Sequence, residues 1–133
     1  MPQYAATSRY VFVYGTLRRG GRNDIARFHP KPEHVADARI AGTLYDLGAY
    51  PGAVLGGPSE VFGEIYRIAP ELEKQLDELE EVKPDDSGEY IKREVLVESD
   101  AGGERLACLV YEIHPDRVRG RSVISGGDWL GAR

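Results

Sequence analysis

Cysteine is almost missing from this chain: Cys108 is the only one in 133 residues. No intrachain disulfide can form, so the fold must rest on its core, and a reducing, cytoplasmic setting is expected. No apolar run approaches the ~18 residues that cross a bilayer, so no membrane span is expected. The opening MPQYAATSRY lacks the charged start, apolar middle and small-residue cleavage site of a secretory leader. Histidine is scarce too. His29, His34 and His114 are scattered, and no pair sits at a zinc-binding spacing with cysteine or carboxylate partners, so no metal is expected. No GxGxxG follows the first apolar strand, which leaves a dinucleotide fold without support. Gly15-x4-Gly20 continues into Gly21-Arg22 where a phosphate loop needs Lys-Ser/Thr. A Ser–His–Asp site has no nucleophile elbow to rest on. Cys108 lies between Ala107 and Leu109 on an apolar run and reads as a small core thiol, not a nucleophile. A net charge of −5 argues against a general nucleic-acid binder.

What is present describes an ordinary soluble domain. Hydrophobic residues make up 41% and charged residues 29%, which excludes wholesale disorder, and the length suits one domain over residues 1–133. Charge is uneven along the chain: residues 1–39 carry +4 and residues 71–104 carry −9. Two faces of opposite sign could steer a zwitterionic ligand; a merely solvated surface is the plainer reading.

Tyr10-Val11-Phe12-Val13-Tyr14 has no polar alternate, so it predicts a strand buried on both faces. Residues 24–34 allow a short helix, interrupted by Pro30 and Pro32. Strands are expected over 37–47 and 61–68, with turns at 48–52 and 56–58 around the short apolar Ala53-Val54-Leu55. Pro70 suits the first turn of a helix, where no amide donor is needed, and Leu72, Leu76 and Leu79 give it one apolar face up to Pro84. After an acidic turn at 85–88, residues 90–98 and 106–113 form two strands around a turn at 101–103. The tail is loop-like except for Val123-Ile124, and Trp129 is expected to pack within the chain. About six strands and one convincing helix, without βαβ alternation, give an α+β fold with a mixed or antiparallel sheet, which can close into a small barrel.

Two features carry chemistry. At Tyr14-Gly15-Thr16-Leu17, a glycine straight after a buried strand turns the backbone sharply and leaves amide N–H groups facing a cleft, where they can hold a carboxylate or an oxyanion. An ordinary strand end is the alternative. On the helix, Glu80 lies about 70° from the centre of the leucine face, while Asp77 is further round and Glu71, Glu73, Glu78 and Glu81 point to solvent. A carboxyl at such a rim is partly desolvated, which raises its pKa and suits proton transfer. An acidic helix surface is the alternative here.

In order and spacing, five elements resemble the γ-glutamylcyclotransferase-like family, which includes the γ-glutamylamine cyclotransferases. They are Val11-Phe12-Val13-Tyr14-Gly15-Thr16-Leu17-Arg18-Arg19-Gly20, Gly42 to Val54, Val61 to Tyr66, Leu76-Asp77-Glu78-Leu79-Glu80 with Tyr90 to Val95, and the closing Ser125-Gly126-Gly127-Asp128-Trp129. The resemblance implies a small mixed β-barrel with few helices and a cleft at one end. It implies that Tyr14, Gly15, Thr16 and Leu17 hold a small-molecule γ-glutamyl substrate, with Tyr50 beside them, and that Glu80 is the catalytic acid/base. The reaction implied is cyclisation to 5-oxoproline with release of an amine, without a cofactor. Tyr90 and Arg93 depart from the pattern, being separated by two residues where relatives often have one. The stretch Val82 to Glu89 varies in the family and would shape the leaving-group side. Other readings are a non-catalytic domain binding a small zwitterion, an acyltransferase or hydrolase acting on acylated amines, and an interaction module using Arg18, Arg19 and Arg22.

Overall fold

A computed structural model describes residues 8–83, 88–100, 103 and 105–130. Of the expected turns, positions 85–87 and 101–102 lie outside the described residues. The strands are β1 (Arg9–Val13), β2 (Glu33–Asp46), β3 (Pro51–Ile68), β4 (Tyr90–Ser99), β5 (Arg105–Ile113) and β6 (Ser122–Val123), and the helix α1 is Pro70–Leu79. Neighbours run β3-β1-β5-β4-β2-β6, and β2 also pairs with β3. That last pairing closes five strands into a barrel, so none of the five is left with an open edge along its paired length. β1 and β5 are parallel, and the other pairings are antiparallel.

The apolar β1 is buried on both sides, as its sequence requires. Val11 and Val13 pack with Ile68, Leu109 and the helix residues Leu72 and Leu76 on the outer, helix-covered face. Phe12 points the other way, among Ile65, Val97, Cys108, Val110 and Trp129, which fill the interior. Burial pushes the Cys108 thiol up to about 12, which leaves it inert as a nucleophile at neutral pH. Trp129 packs within the chain as expected.

Three boundaries differ from the sequence reading. Residues 24–34 yield only a single 3-10 turn at Ile25–Arg27, and β2 begins at Glu33. The prolines end the turn, and partners on β3 recruit residues 33–36, with one register skip between His34 and Ala36. The expected turn at 56–58 does not divide two strands. β3 runs through it, and the register jumps from Ala41↔Glu60 to Gly42↔Leu55, so residues 56–59 bulge from a continuous strand. Finally, α1 stops at Leu79, well short of Pro84.

Candidate active site

The helix ends in a tight reversal. The Glu81 N–H donates to the Glu78 carbonyl (3.2 Å) and the Val82 N–H to the Asp77 carbonyl (3.0 Å). This is the paired bonding of a Schellman cap, with Glu80 at the cap and Glu81 in the left-handed position that normally takes glycine, at φ 53°. A side chain there is strained. Glu81→Gly is therefore expected to raise stability by about 0.5–1 kcal/mol in urea unfolding, without loss of activity.

The reversal brings Glu80 to the wall of a cavity of about 190 Å³ at the end of β1. Leu79, expected on the core face with Leu72 and Leu76, is instead 44% exposed and lines this cavity, because the helix ends there and its last turn opens onto the cavity. The residues expected to bind substrate or move protons meet here: Glu80, Tyr14, Gly15, Thr16, Leu17 and Tyr50 line the same cavity.

The loop after β1 is shaped by its neighbours. A Cβ on Gly15 would lie 2.8 Å from the Pro51 ring, so only glycine lets this backbone press against the Tyr50-Pro51 turn. The carbonyls of Gly15, Thr16 and Leu17 accept from the N–H groups of Arg18 (3.0 Å), Asn23 (2.9 Å) and Ile25 (3.0 Å). Their own N–H groups meet no acceptor among the described residues, so three successive donors are available to an anion.

Four tyrosines brace the cavity. The Tyr14 hydroxyl donates to the Tyr111 carbonyl (2.6 Å) and accepts from the Ala53 N–H (3.1 Å). Tyr90 donates to the Pro51 carbonyl (2.6 Å), Tyr111 to Asp77 (2.8 Å) and Tyr50 to Glu89. Burial pushes the phenols of Tyr14, Tyr90 and Tyr111 upward, so they remain protonated struts. Tyr50 is raised first by its bond to Glu89 and then by burial. Asp77 is likewise occupied, since it also accepts from Lys92 (2.9 Å). Glu80 differs. Burial first, and then the negative charge of Glu89, push its carboxyl up to about 7.

Arg22 and Asn23 line the same cavity, so it carries a cation near the amide loop as well as the carboxylates Glu80 and Glu89. The interaction-module reading loses Arg18, whose guanidinium is held inside the protein by Glu64 and Asp128. Tyr90 and Arg93 part company: Tyr90 lines the cavity, whereas Arg93 donates to Glu112 (3.0 Å) outside it. Tyr111 was not anticipated; its only signal is one hydroxyl in the apolar run of β5. Glu89 lay in the stretch expected to shape the leaving-group side, without being singled out. Among the described residues, no group of three or more His, Cys, Asp or Glu side chains gathers as a metal site, and no helix is long and apolar enough to cross a membrane.

Known proteins resemble this chain in sequence and fold. A family model described as "Gamma-glutamyl cyclotransferase, AIG2-like" matches residues 11–131. A Vibrio cholerae protein bearing the gamma-glutamylcyclotransferase name is 39% identical over 127 residues, which covers 90% of this chain and 93% of its own. The gamma-L-glutamyl-butirosin B gamma-glutamyl cyclotransferase of Niallia circulans is 37% identical over 99 residues, 72% of this chain and 62% of that one. Among solved structures, YkqA from Bacillus subtilis superposes with a TM-score of 0.70 at 27% identity, over 93% of this chain and 40% of that protein. A match that runs from β1 to the residue after Leu130, carried on the same closed barrel, places this chain in the γ-glutamylcyclotransferase family.

Proposed function

We propose that the protein cyclises a γ-glutamyl amide, releasing 5-oxoproline and a free amine, with Glu80 as the acid/base. One observation carries this reading: a carboxyl held near neutrality lies in the same small cavity as three unpartnered backbone donors. Such a carboxyl is partly protonated at working pH and can both take and give a proton.

A γ-glutamyl group carries its own nucleophile, so the protein's task is to hold a folded conformer and move protons. Glu80 removes a proton from the α-ammonium. The freed amine attacks the γ-carbonyl carbon, forming the new C–N bond of a five-membered ring. The tetrahedral centre then expels the original nitrogen as the old C–N bond breaks. Of the ammonium's three hydrogens, one stays on the ring nitrogen and two pass through Glu80 to the departing nitrogen. That nitrogen already bears one hydrogen and leaves as an ammonium. The Gly15, Thr16 and Leu17 amides hold the α-carboxylate or the developing oxyanion, and Arg22 adds positive charge on the same side. No step calls on a cofactor. The γ-glutamyl substrate named for the Niallia circulans relative supports the same acyl group here. The single buried cysteine suits a cytoplasmic setting.

The test is 5-oxoproline release from a panel of γ-glutamyl amines and γ-glutamyl dipeptides. Turnover of at least one member is expected, and the panel ranks the leaving groups. Silence across the panel from folded protein would favour a binding domain for a small zwitterion.

A further inference from the structure

The ionic network beneath the amide loop has no place in the proton chemistry, and its geometry is specific. Arg18 Nε lies 2.6 Å from Glu64 Oε2, and Arg18 Nη1 lies 2.6 Å from Asp128 Oδ1. The second oxygen of Glu64 accepts from the Arg19 N–H at 2.9 Å. Glu64 is only 3% exposed, and it pairs in register with Val13, the last residue of β1 before the loop. Its carboxylate thus grips two successive loop residues from the barrel wall.

Asp128 is fixed just as firmly. The Phe62 N–H on β3 donates to the Gly127 carbonyl (2.8 Å), and the Gly127 N–H donates to Ile124 (2.9 Å). Gly127 sits at φ +69°, and a Cβ there would be 1.9 Å from the Glu60 carbonyl oxygen, so the segment touches β3 backbone to backbone. Trp129 anchors the next position in the barrel interior. The Arg18 fork is therefore held between β3 and the closing segment, and its own N–H closes the turn on Gly15 at 3.0 Å.

A buried ion pair is weak as a source of stability, because desolvation offsets most of the attraction; an apolar set replacing all three charged residues together would serve the barrel as well. What the pair supplies is fixed geometry, through a guanidinium whose planar fork meets two carboxylates at once. We propose that Arg18, Glu64 and Asp128 are positioning residues, a clamp through which the C-terminal Gly-Gly-Asp-Trp segment sets the Gly15–Leu17 amides at bonding distance from the substrate. This rests on the cyclotransferase reading for its catalytic consequence, and on the loop geometry alone for its structural one. A donor displaced by about 1 Å can cost on the order of 10²-fold in rate.

Glu64→Gln, Asp128→Asn and Arg18→Lys in the full chain test the clamp. Three readouts are taken: steady-state 5-oxoproline release, binding of 5-oxoproline itself, and hydrogen exchange at the Arg18, Asn23 and Ile25 amides. Glu64→Gln and Arg18→Lys are expected to raise KM and weaken 5-oxoproline binding by about ten-fold or more. Lysine keeps the charge but lacks the planar fork that fixes each carboxylate on a separate nitrogen, so it should not rescue the loop geometry. The rate limb near pH 7 should stay in place, since Glu80 is untouched, while the loop amides exchange faster than the rest of the barrel. Asp128→Asn should give the same pattern more weakly. Its side chain is 41% exposed, so it supplies the reading if Glu64→Gln fails to fold. Unchanged KM, unchanged binding and unchanged loop exchange, with only a lower melting temperature, would overturn the clamp. If wild type releases no 5-oxoproline, the cyclotransferase reading fails, and loop exchange still decides the clamp.

Discussion

Glu80→Gln is expected to lower 5-oxoproline release by about 10²–10⁴-fold, the range for one acid/base group, while binding of 5-oxoproline is largely retained. Glutamine keeps the size and the hydrogen-bonding edge of the carboxyl, so what is lost is the proton. The pH profile separates this from a packing defect. In wild type the rate is expected to rise with pH through a limb near 7, where Glu80 becomes the free base. In the variant that limb is gone, and the residual rate follows only the substrate's ammonium. Stability moves the other way. Between about pH 4.5 and about 7 the folded protein holds a proton on Glu80 that the unfolded chain has released, so the unfolded state binds fewer protons. Stability contributed by this residue therefore falls as pH rises through that window. Glutamine has no such loss. The variant is expected to be more stable than wild type at pH 8, by an amount of order 2 kcal/mol, and equal to it at pH 4. Thermal melts at the two pH values measure this. A variant that is slower and also less stable at pH 8 would place Glu80 among structural residues.

Leu76→Ala is expected to cost about 2–5 kcal/mol in urea unfolding. Leu76 is fully buried where α1 lies on the barrel, packed with Val11, Val13 and Leu109 from strands on both sides of the β1–β5 seam. A closed barrel cannot collapse freely onto the space left by three carbons, so the upper part of that range is the expectation. The same substitution tests how α1 carries the site. The Glu80 N–H donates to the Leu76 carbonyl at 2.9 Å, so loosening this turn shifts the carboxyl relative to the amide loop. At a temperature where the variant is folded, kcat should fall more than KM rises. Leu79→Ala, at an exposed cavity position, should leave unfolding free energy nearly unchanged.

The legible parts of this protein were those set by local chemistry. β1 announced itself by an unbroken apolar run, α1 by Pro70 and two core leucines, and the thiol of Cys108 by its neighbours. Glu80 was reachable from helical geometry because it sits one residue beyond a regular helix, where the angle still holds. Leu79 misled for the same reason: its angle was right, but the helix ends there and the side chain faces the cavity instead of the core. The limits of β2 and β3 were not legible, since Glu33 to Ala36 and the bulge at 56–59 take their structure from partners across the sheet. The Arg18 network was invisible for a similar reason. It joins residues 18, 64 and 128, and nothing in the spacing of an arginine and two acids says that they meet.

The pairing of β1 with β5 has a consequence in time. Tyr10 aligns with Cys108, so the first strand finds its parallel neighbour only after about a hundred further residues have been made. Contacts so distant along the chain form late, because the loop-closure entropy must be met first. The Tyr14–Leu17 loop hangs on the end of that strand, and Asp128, which steadies it, comes later still. During synthesis, then, the barrel wall can begin to assemble from the β2–β3 pairing while the substrate pocket does not yet exist. The pocket's frame is complete only once Asp128 has been made, and a chain cut short before it would carry Tyr14, Tyr50, Glu80 and Glu89 without the contact that steadies the amide loop.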